Sequence, residues 1–135
     1  MPLPATYVQP VHFEDFDGSQ FERLVFAYHA RTEKWRSLEW YGQTGSDLGR
    51  DIWGVRDQGG EAVCVQCVNR SRLTFAKAQA DVSKAVKAGN GIPYLFRFVT
   101  RSAVSAKMRV KIKACAVSNS IQNCDIWSRH PSLTT

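Results

Sequence analysis

The sequence predicts an α/β fold with a central mixed sheet, and three observations lead to that prediction. The chain has 135 residues, 44% of them apolar, which is enough for one domain with a substantial core. Apolar residues recur at helical spacing in some segments and in short extended runs in others. These segments follow one another as α-β-β-β-α-β-α-β, an order typical of a mixed sheet with helices on both faces.

The first half of the chain is predicted to contain one helix and three strands. Residues 1–12 include three prolines and predict an irregular N-terminal arm. A Ser-x-x-Glu-like capping pattern at Ser19 and Glu22 (with Gln20 and Phe21 between them) predicts a helix over 19–32. Strands are predicted at 38–41, 51–55 and 62–68, with a glycine turn at 58–61 before the last.

The second half is predicted to alternate helices and strands. Thr74 can cap a helix that ends near residue 87, and an apolar run predicts a strand at 94–100. Ser102 or Ser105 begins the next helix, which extends to about residue 118 and precedes a short strand at 124–127. The predicted domain therefore spans 13–128, and residues 129–135 form a tail without a pattern.

Charge is distributed unevenly along the chain. Residues 1–61 carry six Lys or Arg against ten Asp or Glu, whereas residues 62–135 carry twelve against two. An acidic cluster within a basic surface suits a metal site that receives a polyanion, and solvated basic helix faces account for the pattern equally well. No apolar run reaches membrane-spanning length and no secretory signal is recognisable, so a cytoplasmic location without a membrane partner is predicted.

Cys64 and Cys67 have the spacing of a zinc-binding pair but lie within an apolar run that predicts a strand. Residues three apart on a strand point to opposite faces of a sheet. We therefore expect free thiols rather than a shared metal ion.

A short motif spans the second and third predicted strands. Asp51 begins one strand after a loop with two glycines, and Gln66-Cys67-Val68 lies on the next. Together with Phe21 to Leu24 and Gly45 to Asp51, this pattern resembles the restriction-endonuclease-like PD-(D/E)xK superfamily, in particular its Mrr-like branch, where the strand motif is commonly Q-x-K. The resemblance covers residues 12–128, and its specificity comes from the order and placement of short motifs.

The resemblance implies a three-layer α/β/α restriction-endonuclease-like fold and hydrolysis of DNA phosphodiesters with Mg²⁺ or Mn²⁺. Domains of this kind are found as effectors of larger bacterial defence proteins, including those with STAND-type NTPase modules, so DNA and other domains are the implied partners. The sequence leaves the oligomeric state open, a homo-oligomer included. The patternless C-terminal residues favour a fragment of a larger protein.

The same resemblance assigns roles to individual residues. Asp51, the Gln66 side chain and the Cys67 backbone carbonyl would hold the metal, and Glu22 would support it through water. The residues also allow other interpretations: Asp51 can be a turn residue, and the capping pattern accounts for Glu22. Asp47 is less suited than Asp51, because it lies within the glycine turn itself.

Val68 occupies the position of the motif lysine and cannot stabilise negative charge. Arg70 shares its strand face and is a candidate replacement, as are two lysines of the following helix. Four residues are candidates for contacts with nucleic-acid phosphates, namely Arg70, Arg72, Lys77 and Lys84. Losing a charge-stabilising group lowers rates by about 10²–10³, so activity is expected to be weak or absent, whether Val68 is natural or engineered.

Three hypotheses follow from the sequence. The first is a metal-dependent endonuclease, the second a catalytically inactive nucleic-acid-binding or regulatory module of the same fold, and the third a protein-interaction domain. His29 lies near the apolar stripe of the first helix and is interpreted as structural. The glycine loop lacks the Lys-Ser pair of a P-loop, so nucleotide binding of that type is not predicted.

Overall fold

A computed structural model describes residues 18–41, 51–69, 72–88 and 91–128 of the chain. The described residues form an α/β structure in which three helices accompany one mixed sheet of five strands, as predicted. In chain order the elements are α1 (Gly18–Thr32), β1 (Trp35–Trp40), β2 (Ile52–Arg56), β3 (Ala62–Val68), α2 (Phe75–Lys87), β4 (Leu95–Thr100), α3 (Ala106–Ser118) and β5 (Asn123–Trp127).

The strands lie in the sheet in the order in which they occur along the chain. The first three form an antiparallel meander, because the connection between β2 and β3 is a tight turn whose Gly59 and Gly60 adopt positive φ angles of 84° and 67°. The last three are parallel, because α2 and α3 carry the chain back before β4 and β5 begin. Strand β3 is therefore central, with an antiparallel neighbour on one side and a parallel neighbour on the other.

The hydrophobic core is divided into two clusters by the sheet. One cluster joins α1, through Phe21 and Val25, to the odd-numbered residues of β3, including Cys67. The other joins α2 and α3 to residues of the opposite parity, including Cys64 and Val68. Because successive strand residues point to opposite faces, α1 covers one face of the sheet, and α2 and α3 cover the other.

The helix starts follow the predicted capping residues in the second half of the chain. Thr74 Oγ1 accepts a hydrogen bond from the amide of Lys77, and Ser105 Oγ accepts one from the amide of Met108, each at 3.1 Å. Ser105 rather than Ser102 thus begins α3. Within the described residues, no helix combines the length and the apolar character needed to cross a bilayer.

The first strand is longer than predicted. It begins at Trp35 rather than at Leu38, and its pairing with β2 is interrupted by an irregularity between Trp35 and Ser37. Arg36 and Ser37 are exposed and break the apolar alternation, so pattern alone does not mark them as strand residues. Pairing with Val55 and Arg56 of β2 extends the strand.

Candidate functional site

Asp51 lies immediately before β2 and is buried, with 5% of its surface exposed. Pairing between β2 and β3 ends at Ile52 and Val65, so the backbone of Cys67 extends beyond its antiparallel neighbour. Asp51 Oδ2 accepts a hydrogen bond of 2.8 Å from the Cys67 amide at that point. This bond fixes the Asp51 carboxylate at the end of β3, the part of the strand that carries Gln66 and Cys67 of the motif.

The Cys67 carbonyl faces the same side as its amide. The N–H and C=O of one strand residue point to the same neighbouring strand, so this carbonyl is also directed toward Asp51. On this geometry we expect the Cys67 carbonyl oxygen to lie on the same side of β3 as the Asp51 carboxylate, which the Cys67 amide holds.

Gln66 adds an amide to the same place. Pairing between β2 and β3 ends at Ile52 and Val65, and a register continued by one residue would bring Gln66 opposite Asp51. Gln66 is 6% exposed, and its Oε1 atom has no hydrogen-bond partner among the described residues. A buried amide oxygen without a hydrogen-bond partner lowers the stability of the fold by about 1–3 kcal/mol. Gln66 Oε1 is such an acceptor, and none of the described residues satisfies it.

Glu22 lies on the other face of the sheet from Gln66. It is half-buried on α1, and its Oε1 atom accepts a hydrogen bond of 2.9 Å from Trp40 Nε1 of β1. Helix α1 begins at Gly18, so Ser19 lies within the helix and not at the capping position that the sequence pattern predicted. The hydrogen-bond donor to the Glu22 carboxylate is Trp40 instead. Glu22 therefore joins α1 to β1, and its negative charge is among the causes that raise the pKa of the Cys67 thiol.

The Cys67 thiol is protonated at neutral pH. Burial raises its pKa well above the ordinary value, and the negative charges of Asp51 and Glu22 raise it further. A thiol with such a pKa supplies little thiolate, so Cys67 is unsuited to act as a nucleophile or as a sulfur ligand. What it contributes to the site is its backbone.

Val68 is a core residue. Only 1% of its surface is exposed, and it packs in the cluster formed with α2 and α3. A lysine at this position would have to extend its ammonium out of that cluster or leave it buried. The absence of the motif lysine is therefore built into the packing of this chain.

Three of the predicted cationic residues, Arg72, Lys77 and Lys84, lie among the residues that the structure describes. Arg70 and Asp47 lie outside the described residues, and Lys77 Nζ forms an ion pair of 3.0 Å with the buried carboxylate of Asp81. Arg72 and Lys84 are exposed. Lys77 thus has a structural partner one helical turn away, while Arg72 and Lys84 remain accessible to a polyanion.

A second buried polar group, Arg97 in the middle of β4, was not singled out by the sequence motifs. Its Nε and Nη2 atoms donate to the two carboxylate oxygens of Asp125 at 2.9 and 3.2 Å, and its guanidinium carbon lies 4.1 Å from the ring centroid of Trp127. A charged residue within the apolar run 94–100 was a usable signal, because such a residue needs partners in order to be buried.

His29 completes this group, which we call the Arg97 network (Arg97, His29, Asp125 and Trp127). His29 Nδ1 donates to the Val25 carbonyl at 2.8 Å, so its Nε2 atom accepts from Arg97 Nη1 at 3.0 Å. Burial, followed by the positive charge of Arg97 among the lowering effects, lowers the His29 pKa from its ordinary value of 6.5. His29 is therefore a neutral, structural histidine at pH 7.

Cys64 and Cys67 belong to the two different core clusters, on opposite faces of the sheet, as expected from their spacing on a strand. The structure also contains no group of three or more His, Cys, Asp or Glu side chains arranged to hold a metal within the part of the chain that it describes. A metal at the end of β3 would thus depend on amide and carbonyl oxygens in addition to Asp51.

Comparisons of the chain with protein-family models, with curated proteins and with solved structures give no match.

Proposed function

We propose that the chain is a metal-dependent DNA endonuclease-like domain of the three-layer restriction-endonuclease-like fold, with a role in defence against foreign DNA. The observation that supports this proposal most directly is the group of oxygen atoms at the end of β3. Asp51 is anchored there by the Cys67 amide, and the amide oxygen of Gln66, the residue before Cys67, is buried without a partner among the described residues.

These residues suit a hard cation. Mg²⁺ and Mn²⁺ prefer oxygen ligands, and Asp51, the Gln66 amide and the Cys67 carbonyl are all oxygen donors. The unpartnered Gln66 oxygen is the feature that a cation would satisfy. Since Asp51 is the one carboxylate of this set, we expect the site to bind metal weakly and to rely on the oxygens of the substrate phosphate.

Each residue would have a limited task in phosphodiester hydrolysis. The cation would supply the positive charge that a phosphate needs as it is attacked by water. Asp51 would hold that cation, and its bond to the Cys67 amide keeps the carboxylate in one position without further reorganisation. Glu22 is held by Trp40 and would act on this site through its charge alone.

A second function, a catalytically inactive module that binds nucleic acid, is favoured by Val68. The buried valine provides no cation near the attacked phosphate, and its place in the core keeps water and charge away from that face of β3. Exposed cations such as Arg72 and Lys84 would still allow binding of a phosphate backbone in such a module.

The experiment that tests the proposal is cleavage of supercoiled plasmid DNA in the presence of Mg²⁺ or Mn²⁺. Unaltered protein is expected to nick DNA slowly, and Asp51→Asn, which keeps the size of the side chain, is expected to abolish nicking. Asp57→Asn is the matched control, because Asp57 is an exposed carboxylate in the turn after β2.

The possible results separate the candidate functions. Nicking that is lost in Asp51→Asn and kept in Asp57→Asn supports the endonuclease. Salt-sensitive DNA binding without nicking supports the inactive module. If neither cleavage nor salt-sensitive binding is seen, both nucleic-acid functions are wrong.

A further inference from the structure

Helix α3 has apolar residues on two opposite sides. Ile112 and Ala116 are fully buried in the cluster beneath the helix, with Met108 packed against them. On the outer side, Val110 is 68% exposed and Val117 is 64% exposed. Within the described structure these two valines contribute little to the core, although valine favours helices less than most residues that could replace it on a solvated surface.

The exposed valines belong to one stripe. Val110, Ala114 and Val117 are spaced by four and three residues, so they lie along one face of the helix, and Ala114 is exposed as well. The small alanine between two valines leaves room for another helix to approach closely.

Lysines border this stripe on both sides. Lys107, Lys111 and Lys113 are exposed, and the sequence of α3 contains no Asp or Glu. Lys111 is held by α2, with its Nζ atom 4.8 Å from the ring centroid of Phe75. Arg109 is not part of the border, because it turns inward and donates to the Ile126 carbonyl at 2.9 Å.

We propose that the outer face of α3 is a docking site for an acidic amphipathic helix of another polypeptide. An apolar centre surrounded by charged residues is the usual anatomy of a protein interface. The cationic border selects a partner with carboxylates beside its own apolar stripe. This inference does not depend on the proposed nuclease function, because α3 packs with α2 and β5 rather than beside Asp51.

Nucleic acid and a second copy of this chain fit this face less well than an acidic helix does. Valine side chains neither stack on bases nor donate to phosphates, so they add nothing to nucleic-acid binding. In a symmetric pair formed through this face, each lysine border would meet another one, and like charges brought together oppose association.

A designed peptide tests the proposal. The probe is a fluorescein-labelled helical peptide with leucines at i, i+4, i+7 and i+11 and glutamates on both sides of the leucine stripe. The control has the same composition in scrambled order. Fluorescence anisotropy with the full chain is expected to show saturable binding of the probe, weakened by salt, and little binding of the scrambled peptide.

Substitutions on α3 locate the binding. Val110→Ser combined with Val117→Ser is expected to weaken binding by about tenfold or more, since two apolar contacts are lost. Lys107→Gln combined with Lys113→Gln is expected to reduce affinity and salt dependence together. Lys84→Gln combined with Lys87→Gln removes the same charge from α2 and is expected to leave both unchanged. Circular dichroism and thermal unfolding establish that each variant is folded.

Four results would overturn the proposal. They are the absence of saturable binding, equal binding of the scrambled peptide, displacement of the probe by a short DNA duplex whose own binding depends on the valines, and a concentration-dependent dimer that the valine pair dissolves. Asp51→Asn is expected to bind the probe normally, so the docking site and the nuclease proposal can fail separately.

Discussion

Strands β4 and β3 each bury a polar side chain, and the two side chains differ in whether the fold supplies them with partners. Arg97 of β4 is 8% exposed, and the Arg97 network provides it with a carboxylate, a histidine nitrogen and an indole ring. Gln66 of β3 is 6% exposed, and its Oε1 atom has no hydrogen-bond partner in the described ranges. The Arg97 side chain is directed toward α1, and the Gln66 side chain is directed away from it.

The difference separates a structural group from a candidate binding group. A buried polar group with all its partners inside the chain contributes to a unique, rigid packing. A buried acceptor without a partner lowers stability unless something outside the chain satisfies it. Burial alone therefore does not identify a functional residue. The partners of each buried atom make the distinction.

Val68→Lys is expected to have the largest effect, because it places a cation in the core of β3 without any of the partners that Arg97 has. We expect the free energy of unfolding to fall by about 3–5 kcal/mol, the cost of a buried charge without a counterion. Urea denaturation measures the change, and Val68→Met is the control for added volume. Equal stability of the Lys and Met variants would mean that the ammonium of the introduced lysine reaches water. The two positions would then differ in their access to solvent and not in the partners that they offer a cation.

Arg97→Met removes the central member of the Arg97 network and is expected to destabilise the fold by about 2–3 kcal/mol, less than a fully buried pair, because the Asp125 side chain is 39% exposed and can be rehydrated. Arg97→Lys keeps the charge but loses the two-pronged contact with the carboxylate. Chemical denaturation should rank the unaltered protein above the lysine variant and the lysine variant above methionine. A methionine variant as stable as the unaltered protein would show that the network is not structural.

Gln66→Met is expected to change the free energy of unfolding by less than about 1 kcal/mol, since it replaces an amide whose oxygen is unsatisfied by a side chain of similar size. The same denaturation experiment is then repeated with Mn²⁺. The metal should raise the stability of the unaltered protein and not that of the variant. A large loss of stability without metal would place Gln66 among the structural groups, beside Arg97.

The smallest effect concerns pH. The His29 pKa is lowered in the folded chain by burial, so the unfolded chain binds its proton first as the pH falls below 6.5. The contribution of neutral His29 to stability is complete above that value and is lost progressively below it. Unfolding free energies between pH 8 and pH 5 should decline on the acid side, and His29→Gln should flatten the decline. An unchanged pH profile in the variant would exclude His29 as the titrating group.

Much of the fold was predictable from local pattern. The order of the eight elements and the capping roles of Thr74 and Ser105 follow from apolar periodicity and from residues that begin helices, both of which depend on neighbours a few positions away. The start of β1 was predicted three residues late, because the strand is extended by the pairing of Trp35 and Ser37 with β2, across an irregularity at Arg36.

The candidate site was predictable in part. Asp51 bonds to the Cys67 amide at the end of β3, where a residue that begins the neighbouring strand is expected to lie. The face of Glu22 and its bond to Trp40 depend on contacts between elements, which sequence order does not specify. The ion pair of Lys77 with Asp81 is different, because it joins two residues four apart on α2 and follows from helical spacing. The roles in metal binding and catalysis stay predictions.

By itself, the sequence determined the α/β class and the succession of elements, and it predicted Asp51 at the start of the strand beside the one that carries Gln66 and Cys67. Only the tertiary structure decided which buried polar atoms are satisfied: Arg97 is enclosed by Asp125, His29 and Trp127, and Gln66 Oε1 has no hydrogen-bond partner among the described residues. The physical reason is that secondary structure follows from interactions between near neighbours, whereas the cost of burying a polar atom depends on partners that are distant in the chain and become neighbours only when helices and sheet pack.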